Sequence, residues 1–392
     1  MGTLWAGVMF ALCFAPGLRG VLAAPQDASE SAAHEATSKL LPAVMERDWL
    51  EHRLDSDDPI AKHDRLRGEY ELYRQAYMNE AARRTPRLDA LADAHLAHSY
   101  ARIGTARELC VDWRKAIESL AAIERSFWAA LDEIADSMDP APSATLLELA
   151  QVERQCDLID IPILNHLPET RLEVRALIRQ ANIALDGNSP VCLILLTEQK
   201  RRLALLRQRA DAVIPCIDEI GEHLERVYRV RDDNHDELGA AHVADAKNKS
   251  FVEAGQRMYK ANAALCHHAR TTIAHLISTL SEPEADRLRD VAERYLYPEV
   301  FDRPDTVQQR VEAEGVPLSD ETAAIIARYR SERERLERSM VRRTIEYRDT
   351  WLALTGNPLI YSPMAEFQAS LDTFNEELRD LETQTLARLV ND

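Results

Sequence analysis

The residues of this chain that could hold a metal gather in three places. Cys266, His267, His268 and His275 lie close together, and the spacing of His268 and His275 puts them two turns apart on one helix face, with Cys266 on another. His95 and His98 form a second pair. The run Asp232-Asp233-Asn234-His235-Asp236-Glu237 imitates a calcium loop at three alternate positions but lacks its glycine and its closing glutamate. A di-metal carboxylate centre between helices needs glutamate three residues before histidine, and none of the twelve histidines has it; Asp232 before His235 comes nearest. The haem signature C-x-x-C-H is missing, as are G-x-S-x-G, H-E-x-x-H and S-x-x-K, so no nucleophile, base and orienting group can be assembled. No metal, cofactor or enzyme activity is therefore expected, and a helical metal protein or enzyme is left as the last of the alternatives.

Glycine usage narrows the function further. Four of the twelve glycines fall in the first 23 residues, leaving eight, where a usage of about 7% would give about 26. No Gly-rich phosphate cradle or dinucleotide loop can be built from so few, which removes most nucleotide-dependent enzymes.

A second chemistry-bearing cluster is basic. Between Arg328 and Arg348 stand eight arginines and four glutamates, a local excess of positive charge in a chain of net charge −18. Pairs such as Glu334 with Arg338 and Arg342 with Glu346 are spaced for i,i+4 bonding on a solvated helix face. The alternative is a contact for an anion or an acidic partner, including the acidic remainder of a second copy, with Arg328, Arg330, Arg333, Arg335, Arg338, Arg342 and Arg343 as its residues. The patch is too small against the overall charge, and too poor in stacking side chains, for nucleic acid.

The elements that must carry these residues are helices. From Leu203 through Leu206, Ala210, Val213, Ile217, Ile220 and Leu224 to Val227, apolar residues recur at gaps of three and four, which is how a long helix keeps one stripe against a partner. A matching seam runs through Val252, Gly255, Tyr259, Asn262, Cys266, Ala269, Ile273, Leu276 and Leu280. Gly255 and Ala269 are small enough to admit a neighbouring helix, and Asn262 is the kind of polar interruption that fixes register. Pro215 falls on the outward side of the first seam and predicts a kinked but continuous helix. Further helices are expected near 41–54, 60–84, 87–138, 143–158 and 168–186, with Leu66, Tyr70, Tyr73 and Tyr77 on one face of the second. Val191 to Leu196 is the one run that could be extended. The fold class is all-α, an elongated bundle of long antiparallel helical hairpins with coiled-coil-like seams.

The expected organisation is a signal peptide at 1–23, a polar linker at 24–40, a helical-hairpin body at 41–297, an irregular joint at 298–317 and a C-terminal hairpin at 318–392 around Gly356-Asn357-Pro358. Leu4 to Ala15 is a short apolar core followed by Pro16, Gly17 and Val21-Leu22-Ala23-Ala24, the pattern of an exported protein cut after Ala23; no basic residue precedes it, so an uncleaved anchor is the alternative. No later run is long enough to cross a bilayer, and the expected location is periplasmic or extracellular. Cys110, Cys156, Cys192, Cys216 and Cys266 remain after processing, as buried thiols or in one or two disulfides.

Helix openings recur as leucine followed by a hydroxyl: Leu196-Thr197, Leu280-Ser281 and Leu318-Ser319. Each hydroxyl can cap free N–H groups, and Ser281 with Glu284 fits a capping box. These starts resemble the Leu-Thr-x-x-Gln motifs of the Spy/CpxP-like periplasmic stress proteins. Gln199 falls one residue early in the first, Glu284 replaces glutamine in the second, and Thr322 stands at that place in the third. The resemblance implies an all-helical periplasmic protein, in a family that includes an ATP-independent chaperone. The expected function is thus an exported, non-enzymatic binding or chaperone-like protein of the cell envelope; the alternative is a structural partner whose seams are completed by self-association or by another protein, and a helical metal protein or enzyme ranks third.

Overall fold

The structure, a computed structural model, describes residues 40–54, 59–97, 103–138, 141–160, 168–233, 249–314, 319–354 and 364–391. The expected signal peptide, all of the linker but its last residue, His98, Asn234 to Glu237, Leu318 and the Gly356-Asn357-Pro358 turn lie outside these residues. All regular structure within them is helical, and no strand occurs among the described residues. The helices are α1 (Arg47–Leu54), α2 (Pro59–Lys62), α3 (Asp64–Ala97), α4 (Ile103–Ile134), α5 (Ala144–Ile159), α6 (Val174–Gln180), α7 (Pro190–Asp233), α8 (Lys249–Thr279), α9 (Glu282–Leu296), α10 (Pro298–Phe301), α11 (Thr306–Glu314), α12 (Asp320–Leu354) and α13 (Met364–Asn391). None of the described helices is long and apolar enough to cross a membrane. Contacts divide the chain into two compact units, Met1–Ala285 and Asp286–Asp392.

In the first unit α3 and α4 run antiparallel, because Arg65 meets Glu133 near one end and Arg84 reaches Ser119 nearer the other. Leu66, Tyr70, Tyr73, Tyr77, Ala81 and Leu88 of α3 face Ile117, Leu120, Phe127, Leu131 and Ile134 of α4, all buried in one core. At about 25 cal/mol per Å² of apolar surface this burial is the main force holding the pair. Pro86, where the sequence suggests a boundary, lies inside α3 instead. Its ring faces solvent, so the carbonyl it leaves unbonded can be hydrated, and the helix continues to Ala97.

Helices α7 and α8 pair antiparallel as well: Glu198 of α7 meets His268 and His275, while Cys216 packs with Ala254, Met258 and Tyr259. Leu203, Leu206, Val213 and Ile217 are buried on α7, and Cys266, Ala269, Ile273 and Leu276 on α8, so both seams hold where side chains are described. Helix α7 is continuous through Pro215, which is exposed. It also starts earlier than the periodicity predicts. Pro190 sits at a first helical position, where a missing N–H costs nothing, and Ser189 accepts from Cys192 N at 3.1 Å, so Val191 to Leu196 is helical. Thr197 is consequently an interior residue, donating to Leu193 O at 2.9 Å, and not a cap. A Cβ on Gly255 would meet nothing within 4 Å, so no close helix approach depends on that glycine.

The second unit contains the antiparallel pair α12 and α13, fixed by Arg333 with Glu382 and by the stacked rings of Tyr347 and Phe367, whose centroids are 4.2 Å apart. Ile326, Tyr329, Leu336 and Met340 of α12 and Phe374 and Leu378 of α13 are buried. Ser319 caps α12, accepting from Thr322 N at 3.1 Å. The stretch expected as an irregular joint contains α10 and α11, whose starts carry local signals. Pro298 opens the first, and Asp305 accepts from Gln308 N at 2.8 Å at the second.

Candidate functional site

The arginine-bearing helix is α12, and packing sorts its arginines into two kinds. Arg333 lies on the face turned toward α13, where its guanidinium meets Asp305 (3.2 Å), Glu337 (2.8 Å) and Glu382 (3.4 Å) and donates to the Tyr329 hydroxyl at 2.9 Å. Burial works against its charge, yet Tyr329 and these carboxylates hold the guanidinium above its ordinary value. Arg348 is buried too, donating to Leu296 O and Glu299 at 2.8 Å with its plane over the Tyr297 ring. These two bind the protein to itself.

The others face solvent. Arg328, Arg335 and Arg342 follow one another at seven-residue intervals, about 10.5 Å per step, so they form a row along the helix. Arg338 and Arg343 flank it within a quarter turn, whereas Arg330, two residues after Arg328, projects from nearly the opposite side of the helix; all six are exposed. Arg335 bonds Glu332 at 3.0 Å, and Arg338 bonds Glu334 as its spacing predicts. Arg328, Arg330, Arg342 and Arg343 make no ion pair among the described residues, and the expected Arg342 pair with Glu346 is not formed. Five of the seven arginines singled out by sequence thus share the outer side of α12; Arg330 is exposed on another side, and Arg333 is removed because its position falls on the seam.

The histidines separate differently. His268 and His275 meet one carboxylate from α7, Glu198, but each meets its own oxygen: His268 Nδ1 lies 3.5 Å from Oε2 and His275 Nδ1 lies 3.3 Å from Oε1. The carboxylate stands between the rings, so they do not converge on one point, and no trio of His, Cys, Asp and Glu placed to hold a metal ion occurs among the described residues. Cys156, Cys192, Cys216 and Cys266 are buried, Cys110 is half-buried, and none of the five is in a disulfide. Burial pushes Cys156 and Cys110 up to about 12, which keeps both protonated and unreactive.

Sequence reading missed a buried polar layer in the first unit. Arg154 of α5 donates to Glu124 Oε1 of α4 from two nitrogens at 2.6 and 2.7 Å, and to Ala43 O at 2.8 Å; the two side chains are 5% and 3% exposed. Tyr73 donates to the same carboxylate oxygen at 3.2 Å and accepts from Met45 N at 2.9 Å. Tyr70 donates to Met45 O at 3.1 Å and Tyr77 to Pro42 O at 2.9 Å. The segment 42–45 is therefore strapped down by three tyrosines and one arginine. Beside it Glu153 holds Arg53 at 2.8 Å and Arg175 at 3.1 Å. The tyrosine spacing was a usable signal, since buried phenols need partners. Nothing in the local pattern marked Glu124 or Arg154, which look like any charged helix residues until α4 and α5 meet.

The arrangement offers a row of guanidinium groups that can bind carboxylates or other anions by paired N–H donors, and a buried charged layer that holds helices together. Comparison with protein-family models, with curated proteins and with solved structures finds no match to this chain.

Proposed function

We propose that the protein is an exported, non-enzymatic helical binding protein of the cell envelope that engages an acidic protein partner through the outer face of α12. The observation that carries this reading is the exposed row Arg328, Arg335 and Arg342 with Arg343 beside it, three of these four lacking an ion pair among the described residues. Exposed arginine without a local partner is ready to pair with carboxylates from outside, and at physiological salt a charge is felt over only about 8 Å. A row can therefore bind an acidic surface despite the acidity of the whole chain.

A chaperone-like surface would need exposed apolar area. Among the described residues the large apolar side chains left exposed are Leu72, Leu193 and Tyr295, on three different helices. Scattered singly, they do not make a patch of the size used for binding. This favours recognition by charge. Export is supported by the apolar run Leu4 to Ala15 and the small residues after it.

The test uses a fluorescent polyglutamate peptide as a defined acidic probe, titrated by anisotropy at several salt concentrations. Binding that weakens steeply with salt and is lost in R328E/R335E/R342E supports the reading; binding unaffected by the triple reversal refutes it. A second reading, that the acidic partner is another copy, is favoured by the chain's own net charge of −18. Sedimentation velocity separates the two: self-association that R328E/R335E/R342E abolishes supports a second copy, and a monomer at every concentration and salt refutes it.

A further inference from the structure

Within the first unit, helix α8 meets α7 and the turn Pro168–Arg171 at a junction whose hydrogen bonding is incomplete. His268 is only 5% exposed. Its Nε2 lies 3.0 Å from the backbone oxygen of Glu198 and must carry a hydrogen to bond there. Its Nδ1 has no hydrogen-bond partner, although Glu198 Oε2 is 3.5 Å away. Thr272, one turn on, has a buried hydroxyl oxygen that is also unpartnered. Both side chains line a cavity of about 10 Å³, with Glu169, Glu198 and Gln199 among its other walls, close to the volume one water molecule needs. A neutral ring with hydrogen on Nε2 suits this place: its Nδ1 can accept from a single water that also bonds the carboxylate.

The charges around the ring come from each element packed on α8 here. Helix α7 supplies Glu198, Arg201 and Arg202, and the 3-10 turn Pro168–Arg171 supplies Glu169. On α8 itself His275 shares the Glu198 carboxylate. Two carboxylates thus stand against two guanidinium groups, and no net negative charge awaits a proton on His268. Burial decides, and it opposes an imidazolium. The same turn is held to α7 by Arg202, which donates to Leu172 O at 2.6 Å and to Thr170 O at 3.3 Å. Charging His268 therefore loads a junction where α7, α8 and the turn all meet.

We propose that this junction is an acid-released latch, in which neutral His268 seats α8 against α7 and the turn Pro168–Arg171, and protonation of its Nδ1 unseats it. Burial holds the imidazole below its ordinary 6.5, with the carboxylate of Glu198 pulling the other way. A group depressed in this way is neutral in the folded chain where the unfolded chain binds a proton. The stability it lends is complete above about pH 6.5 and is lost as the pH falls below that value.

The test is amide hydrogen exchange in residues 265–276 and 169–174 of the full chain, with chelator present, at pH 7.5 and 5.0 after correction for intrinsic rates. Protection in the wild type is expected to fall at least about fivefold in acid. In H268Q, which keeps a side chain able to donate to the Glu198 carbonyl, it should change little, and in E198Q the fall should be larger. An equal loss in H268Q overturns the latch. So does an imidazole of His268 that titrates above 6.5 in the wild type by NMR, a readout that needs no variant to fold.

Discussion

Replacing Arg154 with methionine removes the centre of the buried layer in the first unit and leaves Glu124 with one remaining donor. Arg154 supplies two short bonds to Glu124 Oε1 and a third to Ala43 O, and its guanidinium lies 5.8 Å from the Tyr77 ring centroid. After the substitution the carboxylate is left almost without solvent and facing only the Tyr73 hydroxyl. Burial already pushes Glu124 above its ordinary value against the pull of Arg154. Breaking one side of such a pair costs about 3–5 kcal/mol, because the surviving charge is uncompensated, whereas replacing both sides is often near neutral. R154M should therefore lower the unfolding free energy by about 3–5 kcal/mol, and E124Q/R154M should recover at least about half of that loss. Denaturant unfolding followed by circular dichroism, run as a double-mutant cycle, reads both numbers, and limited proteolysis at 40–46 reports whether the strapped segment lets go. A loss under about 1 kcal/mol in R154M, or a double variant as unstable as the sum of the singles, would refute the claim that this pair holds the segment.

Other outcomes follow from separate features. Burial raises Asp157 from its ordinary 3.8 to about 7, so the folded chain binds a proton that the unfolded chain lacks across that range, and the stability tied to Asp157 declines as pH rises through it. D157N should therefore be more stable than wild type above pH 7, by at most about 4 kcal/mol at about 1.4 kcal/mol per pH unit, and the difference should vanish near pH 4; a constant difference across pH would refute it. A Cβ at Gly187 would stand 1.8 Å from Ser143 Oγ, the cap of α5, which accepts from Leu146 N at 3.1 Å. G187A should cost about 1–3 kcal/mol in thermal unfolding, more than the roughly 1 kcal/mol of S143A, and the reverse order would count against a tight approach there. L131A, at the fully buried centre of the α3 and α4 core, should cost about 2–5 kcal/mol.

The all-α class was legible because gaps of three and four run uninterrupted through Leu203 to Ile217 and through Tyr259 to Leu276, and such a period has one structural meaning. Boundaries were less so. Pro86 and Pro190 carry the same residue type, yet one lies within a helix and the other begins one, because what decides is whether the ring faces solvent and whether the lost N–H had a partner. Thr197 read as a cap from its neighbours alone, and the capping hydroxyl proved to be Ser189, eight residues earlier. Of the candidate site, the arginine cluster was visible in composition, but the separation of Arg333 from Arg328 and Arg342 depends on the register of α12 against α13. His268 and His275 were seen as a pair on one face. Glu198, which stands between them, belongs to another helix and carries no mark in its own surroundings. The contacts of Glu124 with Arg154 are likewise between helices, and sequence spacing within a helix does not encode them.

The proposed function requires the outer face of α12 to be a binding surface. A charge-reversal scan, one arginine to glutamate at a time against the polyglutamate probe at 0.15 M salt, tests it most directly. The largest losses are expected at Arg328, Arg342 and Arg343, which lie on this face with no ion pair among the described residues, and smaller ones at Arg335 and Arg338, which are already paired, and at Arg330, which projects from another side of the helix. Losses of equal size at every exposed arginine of the chain, or no binding to lose, would contradict it.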